Sequence, residues 1–205
     1  MSMLGATRWW WLRHAPVPCP EGRIVGCLDA ACDVSDVEDF ASLARILPAN
    51  AVLVESGLMR CRQTVGALET AGLMLPPPEV EPDFAEQDFG LWQGRTWLEL
   101  EAEKDPVLPD FWRDPACTAP PGGESFAEMA HRVAAAIDRL TRLHGSRDIV
   151  AVAHAGTVRS ALAHALGLEP AQALQFAVQP LSLTRLDATA DGWRVDCVNY
   201  MPVSR

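Results

Sequence analysis

The chain is poor in positive charge. Its 205 residues carry 17 Lys and Arg against 27 Asp and Glu, a formal net charge of −10. General binding to nucleic acid or to an anionic membrane needs an electropositive face and is excluded on that ground. An anionic ligand would have to be held by a local group of cations working against the field of the whole protein. The six cysteines form no CxxC pair and no His-linked zinc spacing, so they read as small buried thiols in a reducing compartment. There is no GxxxxGK[ST] loop, and no set of His, Cys or carboxylate residues has metal-ligand spacing. Neither a metal nor an organic cofactor is expected. The sequence has no internal repeat and no apolar run of membrane-spanning length, and Arg8 and Arg13 bracket the first apolar residues, which leaves no signal-peptide core. The expected location is cytoplasmic.

What is present is a globular composition, 49% hydrophobic and 21% charged, in a chain long enough to bury a full core without staples. The segment "RWWWLRHAP" (8–16) sets three tryptophans directly before an Arg-His pair and a proline. A buried strand has no use for Arg13 or His14, and a surface loop has none for Trp9, Trp10 and Trp11. The junction between the two is where chemistry is expected. Residues 8–13 predict a buried strand, and 14–34 a long Pro-, Gly- and Cys-rich loop, a length that is usually functional in a compact domain. Ser35 predicts the cap of a helix reaching Leu47; residues 51–56 form a second strand, and 58–72 a helix closed by Gly72. "EVEPDF" (79–84) is strand-like, whereas 86–121, rich in aromatics and prolines, predicts an irregular insertion covering the cleft, with one short helix near 96–103. A helix capped by Ser125 runs to His144, a third buried strand covers 148–156, and a helix follows from Thr157 to Leu166. Residues 181–187 and 193–198 close the chain as a strand pair. Strands alternating with helices indicate a single domain over 1–205, a three-layer α/β/α sandwich with a mainly parallel sheet. His131, His144 and His164 fall within helices and read as surface or helix-end residues.

In such sheets ligands bind beyond the carboxyl ends of the strands. The first strand ends in Arg13-His14, the second in Glu55-Ser56 followed by Arg60, and the third in His154-Ala155-Gly156. If these strands are parallel neighbours, two histidines and two arginines meet in one crevice. Guanidinium forks match a tetrahedral dianion bidentately and stay charged, so a phosphate-type ligand is expected. Each charge-assisted hydrogen bond contributes about 1.5–3 kcal/mol, and a few of them outweigh the acidic background. With no P-loop and no metal, the nucleophile must come from the protein. A neutral imidazole whose second nitrogen is held by an acceptor can attack phosphorus and form a phosphohistidine. Departure of the alkoxide then needs a proton donor. Glu86 is the first choice, because its neighbours Phe84, Phe89, Leu91 and Trp92 promise apolar surroundings that favour the uncharged carboxyl; Asp83 and Asp88 are rivals. The tryptophans of the first strand are expected to wall the floor of the site.

These segments, in this order, resemble the histidine phosphatase superfamily, the phosphoglycerate mutase-like group. The resemblance rests on "LRHA" (12–15), "RIVGCLD" (23–29), "SGLMRCRQT" (56–64), "EQDFGLWQG" (86–94), "GGES" (122–125) and "VAHAGTVR" (152–159), and spans about residues 8–167. It implies that His14 is the nucleophile and Glu86 the proton donor, and that Arg13, Arg60 and His154 clamp the phosphoryl oxygens, with Ala155 and Gly156 beside them. It implies a phosphate or substrate contact for Arg23, supporting positions for Ser56 and Gln63, and no metal. Two departures stand out: Ala15 replaces the motif glycine, which requires a negative φ there, and Glu55 stands where relatives commonly carry a small hydroxyl residue.

The activity so implied is that of a metal-independent phosphomonoesterase acting on a small-molecule phosphate ester. A cofactor-dependent phosphoglycerate mutase is the alternative, disfavoured because only residues 95–121 separate the acid and Gly-Glu-Ser elements and because Gly156-Thr157 follows the second histidine. A non-catalytic phospho-ligand-binding relative is a third reading. The "RHAPV" opening and the following loop look similar to the α-ribazole-5′-phosphate phosphatases of cobalamin synthesis, and the aromatics of 86–112 are expected to stack on a heterocyclic base. Whether the chain forms a homodimer is left open.

Overall fold

The computed structural model describes residues 5–19 and 22–202; Pro20 and Glu21 of the first loop lie outside them. The tryptophan-rich segment is strand β1, Thr7–Arg13. It sits in the interior of a six-stranded sheet, and this explains its unbroken apolar run: both faces are covered, so no position is left for a polar alternate. Side chains alternate across it, and Trp9 and Trp11 enter one core while Leu12 enters the other, with Trp10 packed at its edge. β1 pairs in parallel with β4 (Asp148–Ala153), which pairs in parallel with β2 (Val52–Glu55), itself parallel to the two-residue β3 (Glu79–Val80). On the other side β5 (Leu183–Thr189) runs antiparallel to β1, and β6 (Gly192–Tyr200) antiparallel to β5. The order is β3-β2-β4-β1-β5-β6.

Helices α1 (Val37–Ile46) and α2 (Met59–Thr70) cover one face, where Phe40, Leu43, Val65 and Leu68 meet Leu12, Leu53 and Val152. The insertion contributes α3 (Trp97–Ala102) and α4 (Leu108–Arg113). The long α5 (Phe126–Leu143) and α6 (Ala155–Leu166), followed by the short α7 (Pro170–Ala173), cover the opposite face. There Met129, Val133, Ile137, Val158 and Leu162 pack on Trp9, Trp11, Ile149 and Ala151. The expected three-layer α/β/α architecture is therefore the observed one.

Several boundaries move, each for a local reason. Asp36, not Ser35, caps α1: its carboxylate accepts from the Asp39 amide at 3.2 Å, while the Ser35 amide closes a turn on Asp33. β3 stops at Val80 because Pro82 brings no N–H to a ladder and starts a 3₁₀ turn through Phe84. The insertion holds two helices where one was expected. Pro109 reads as a breaker in sequence, yet it lies in the first turn of α4, where its missing N–H costs nothing. α6 starts at Ala155 rather than Thr157, with His154 as its cap residue. The insertion also has its own apolar cluster, Trp92, Leu100, Leu108 and Phe111, joined by Ile24 from the first loop.

Candidate active site

The register of the parallel strands places the site. Arg13 pairs with Ala153 and Glu55 with Val152, so the chain leaves all three strands at nearly one level. The backbone amide of His14 continues the ladder by one bond, to the Ala153 carbonyl at 2.9 Å. His14, Arg13, Arg60 and Glu86 then line one cavity of about 280 Å³, flanked by Val17 and Pro180. The rings of His14 and His154 lie 5.0 Å apart.

His14 is 5% exposed, and its Nδ1 lies 2.7 Å from the carbonyl oxygen of Ala15. A carbonyl can only accept, so Nδ1 carries the ring proton and Nε2 is left with a lone pair. Burial, with the Arg60 and Arg13 cations adding to it, pushes the imidazole pKa down to about 3, against a smaller opposing effect of the Ala15 bond. The ring is neutral at pH 7. Ala15 avoids the left-handed region, and its amide donates to Thr64 Oγ1 at 2.9 Å, so the residue that replaces the motif glycine costs no backbone strain.

Arg60 is 1% exposed, yet among the described residues no carboxylate pairs with it. Its terminal nitrogens donate to the carbonyls of Leu28 (2.6 Å) and Gly26 (2.7 Å), and its Nε donates to His154 Nδ1 at 3.1 Å. That last bond makes Nδ1 an acceptor, so His154 carries its proton on Nε2, which donates to Ser56 Oγ at 2.8 Å. Burial first, then Arg60, His14 and Arg13, lower the His154 pKa well below the ordinary value. Both ring nitrogens are thus engaged. His154 braces the guanidinium of Arg60, and no nitrogen of it lines the cavity.

Arg13 is fixed by a 2.7 Å bond to the Val178 carbonyl, and its buried Nε has no hydrogen-bond partner among the described residues. Opposite it, Glu86 accepts from the amides of Gly156 (3.2 Å) and Gln87 (3.1 Å). A Cβ at Gly156 would fall on the Glu86 carboxylate, so the first turn of α6 and the acidic loop fit only because this residue is glycine. Arg132 of α5, which the sequence pattern did not single out, ties that loop down. It donates to the carbonyls of Asp83 (2.6 Å), Ala85 (3.0 Å) and Glu86 (3.4 Å) and pairs with Glu124 at 2.5 Å. The signal that could have found it is its place one helical turn beyond the Glu124–Glu128 capping segment.

Other expected site residues lie elsewhere. Arg23 is exposed and turned to the insertion, bonding the Gly94 carbonyl at 2.9 Å and Glu99 at 3.4 Å. Ala155 packs on the core, and the Gly156 amide serves Glu86. Asp88 closes a turn on Gly90. Gln63 accepts from the Cys32 amide, and Glu55 is buried on the Gly57 amide, away from His14. The tryptophans of β1 do not wall the cavity. Trp9 and Trp11 stack at 5.0 Å and abut Phe84, because strand alternation sends them beneath the sheet. Of the apolar neighbours expected around Glu86, Phe89 shares a cavity with it, whereas Phe84 enters that core, Trp92 the insertion cluster, and Leu91 is 74% exposed. Trp92 and Trp97 pack on each other and on Phe111, so they offer no face to the cavity. Among the described residues no group of three His, Cys, Asp or Glu side chains is placed to hold a metal, and no helix is long and apolar enough to cross a membrane.

Comparison with known proteins bears on the family and the fold. A bifunctional protein of Mycobacterium tuberculosis is 32% identical over 142 residues, 69% of this chain, which spans only 38% of that protein's length. A glucosyl-3-phosphoglycerate phosphatase of Mycolicibacterium vanbaalenii is 33% identical over 170 residues, 77% of this chain and 73% of that protein. The crystal structure of the α-ribazole phosphatase from Shigella flexneri shares the fold with a TM-score of 0.83 at 21% identity, over 97% of this chain and 99% of the other. The profile of the histidine phosphatase superfamily (branch 1) matches residues 9–201, from the first buried tryptophan to the end of the sheet, and the chain belongs to that family.

Proposed function

We propose that the protein is a metal-independent phosphomonoesterase that works through a phosphohistidine on His14. The observation that carries this reading is the His14 ring itself: neutral, proton held on Nδ1 by the Ala15 carbonyl, lone pair on Nε2, in a cavity shared with Arg13 and Arg60. In the first step Nε2 attacks phosphorus, the P–O bond to the alcohol breaks, and the Glu86 carboxyl gives its proton to the departing oxygen. In the second, water attacks phosphorus, passes a proton to the Glu86 carboxylate, and the N–P bond breaks to return neutral His14. Arg13 and Arg60 stay fixed throughout and meet the charge on the equatorial oxygens, with His154 holding Arg60 in place.

The substrate is a small-molecule phosphate ester in a cytoplasmic setting, with the whole chain acting as one domain and residues 86–121 bordering the cleft. α-Ribazole 5′-phosphate and glucosyl-3-phosphoglycerate are the first two to assay, since similar proteins carry both names. Trp92 and Trp97 are taken up by packing on each other and on Phe111, so any stacking on a heterocyclic base would fall to Phe89 and Phe111, which line a cavity beside Glu86. The test is phosphate release from p-nitrophenyl phosphate in EDTA, which should proceed undiminished, with His14→Ala lower by about four orders of magnitude or more. Failure of wild type to turn over any ester would favour a phospho-ligand-binding protein, and isomerisation of 3-phosphoglycerate after priming with a bisphosphate would favour the mutase.

A further inference from the structure

Glu86 lines a second cavity, of about 160 Å³, whose lining does not include His14. Its walls are apolar, from Phe89, Phe111, Phe126 and Leu174, and one of them carries a cation, Arg159 of α6. The Nε of Arg159 donates to the Phe176 carbonyl at 2.9 Å, two residues from the carbonyl that fixes Arg13. Among the described residues Arg159 makes no ion pair, and its terminal nitrogens have no protein acceptor. A half-buried guanidinium anchored by a neutral carbonyl, with Glu86 as the carboxyl beside it in the recess, can turn its terminal N–H groups to a ligand.

The in-line course of phosphoryl transfer says which ligand part belongs there. If His14 attacks from one side and Glu86 protonates the oxygen leaving on the other, the alcohol part of the ester lies beyond Glu86. We propose that this second cavity receives the leaving group and that Arg159 selects alcohols carrying a carboxylate. The inference rests on the phosphomonoesterase reading above. The volume suits a group of about one benzene ring, since a cavity of about 150 Å³ holds benzene. A planar carboxylate matches one guanidinium fork, whereas a second phosphate would bring two charges to a single cation. In the step in which the reading above makes Glu86 the proton donor, Arg159 is the cation left on that side for a ligand carboxylate to meet.

The test compares kcat/KM for phenyl phosphate, 3- and 4-carboxyphenyl phosphate and their carboxamide counterparts, which keep the shape and remove the charge. One carboxylate isomer should exceed its carboxamide by about tenfold or more in wild type. Arg159→Met should bring that ratio to about one, and Arg159→Lys should restore part of it. A wild-type ratio near one overturns the inference, as does a ratio that Arg159→Met leaves unchanged while both rates fall together. Should Arg159→Met fail to fold, the wild-type ratio and the Lys variant decide. If no ester is hydrolysed at all, the phosphatase reading falls and takes this one with it; turnover without carboxylate preference overturns this one alone.

Discussion

The strand-end cavity and the insertion beside it hold their arginines in opposite ways. Around that cavity Arg13 is fixed by the Val178 carbonyl and Arg60 by those of Gly26 and Leu28, and in the neighbouring one Arg159 is fixed by that of Phe176. Along the insertion and the loop against it, Arg23, Arg95 and Arg113 face Glu99, Glu103 and Asp110. A carbonyl satisfies an N–H without cancelling the positive charge, and a carboxylate does both. The first set is thus immobilised with its charge intact, and the second is neutralised at the surface, where such pairs add little to stability. A chain of net charge −10 can in this way keep positive charge in a cleft: Arg13 and Arg60 are anchored on backbone, and among the described residues Glu86 is the one carboxylate residue in the cavity lining.

The sharpest way to break that comparison is Arg60→Met. Removing one fixed donor from a transition-state clamp costs about 100–1,000-fold, and kcat/KM for p-nitrophenyl phosphate should drop by that much. Arg95→Met, which removes a carboxylate-held cation, should change it less than about twofold. Equal effects of the two would mean that anchoring on carbonyls does not mark the functional cations.

Next in size is Gly156→Ala. The new methyl group would meet the Glu86 carboxylate and lie 2.9 Å from Met129 Sδ, so the acidic loop must shift. If Glu86 is the proton donor, alkyl phosphates, whose leaving groups need the proton, should lose about 10–100-fold in kcat, and p-nitrophenyl phosphate much less. A uniform loss across leaving groups would assign Gly156 to phosphate positioning instead.

A smaller effect follows from the buried imidazoles. His14, lowered to about 3, and His154, lowered well below its ordinary value, stay neutral in the native state while the unfolded chain protonates both near pH 6.5. Below that pH the unfolded state binds more protons, so stability is full above about pH 6.5 and is lost as pH falls toward the native values. Each histidine adds about 1.4 kcal/mol per pH unit to the slope. Urea unfolding of wild type and His14→Asn between pH 7 and 5 should differ by one such slope. Parallel curves would show that His14 titrates normally in the fold.

Most of the frame, and the meeting of Arg13, His14, Arg60 and Glu86 in one cavity, were legible in the sequence, because both rest on local pattern. Apolar runs ending in Arg13-His14 and His154-Ala155 announce strands that deliver polar groups to their carboxyl ends, and parallel pairing brings those ends together. The rest depended on contacts remote along the chain. Whether His154 touches a ligand or braces Arg60 turns on Ser56, 98 residues away. Arg23 lies in a family motif, but Thr96 and Glu99 of the insertion draw it off. The tryptophans of β1 misled for a geometric reason: residues that precede a site in sequence alternate beneath it in a strand, so Trp11 supports Phe84, and through it the loop that carries Glu86, without reaching the cavity.

The smallest expected effect sits at the far edge of the insertion. Trp112 is 52% exposed and tilts against Trp97 with ring centroids 4.8 Å apart. It borders a surface recess with Leu108 and Pro109 that shares no residue with the His14 cavity. Half of its surface is already in water, so Trp112→Ala should cost no more than about 1 kcal/mol, read from the urea midpoint. The kcat/KM for p-nitrophenyl phosphate should stay within about twofold of wild type, because the ring stabilises the aromatic cluster and not the cations. A rise in KM for a larger ester, with the small aryl ester unaffected, would extend the binding surface onto the insertion and blur the division between the two regions.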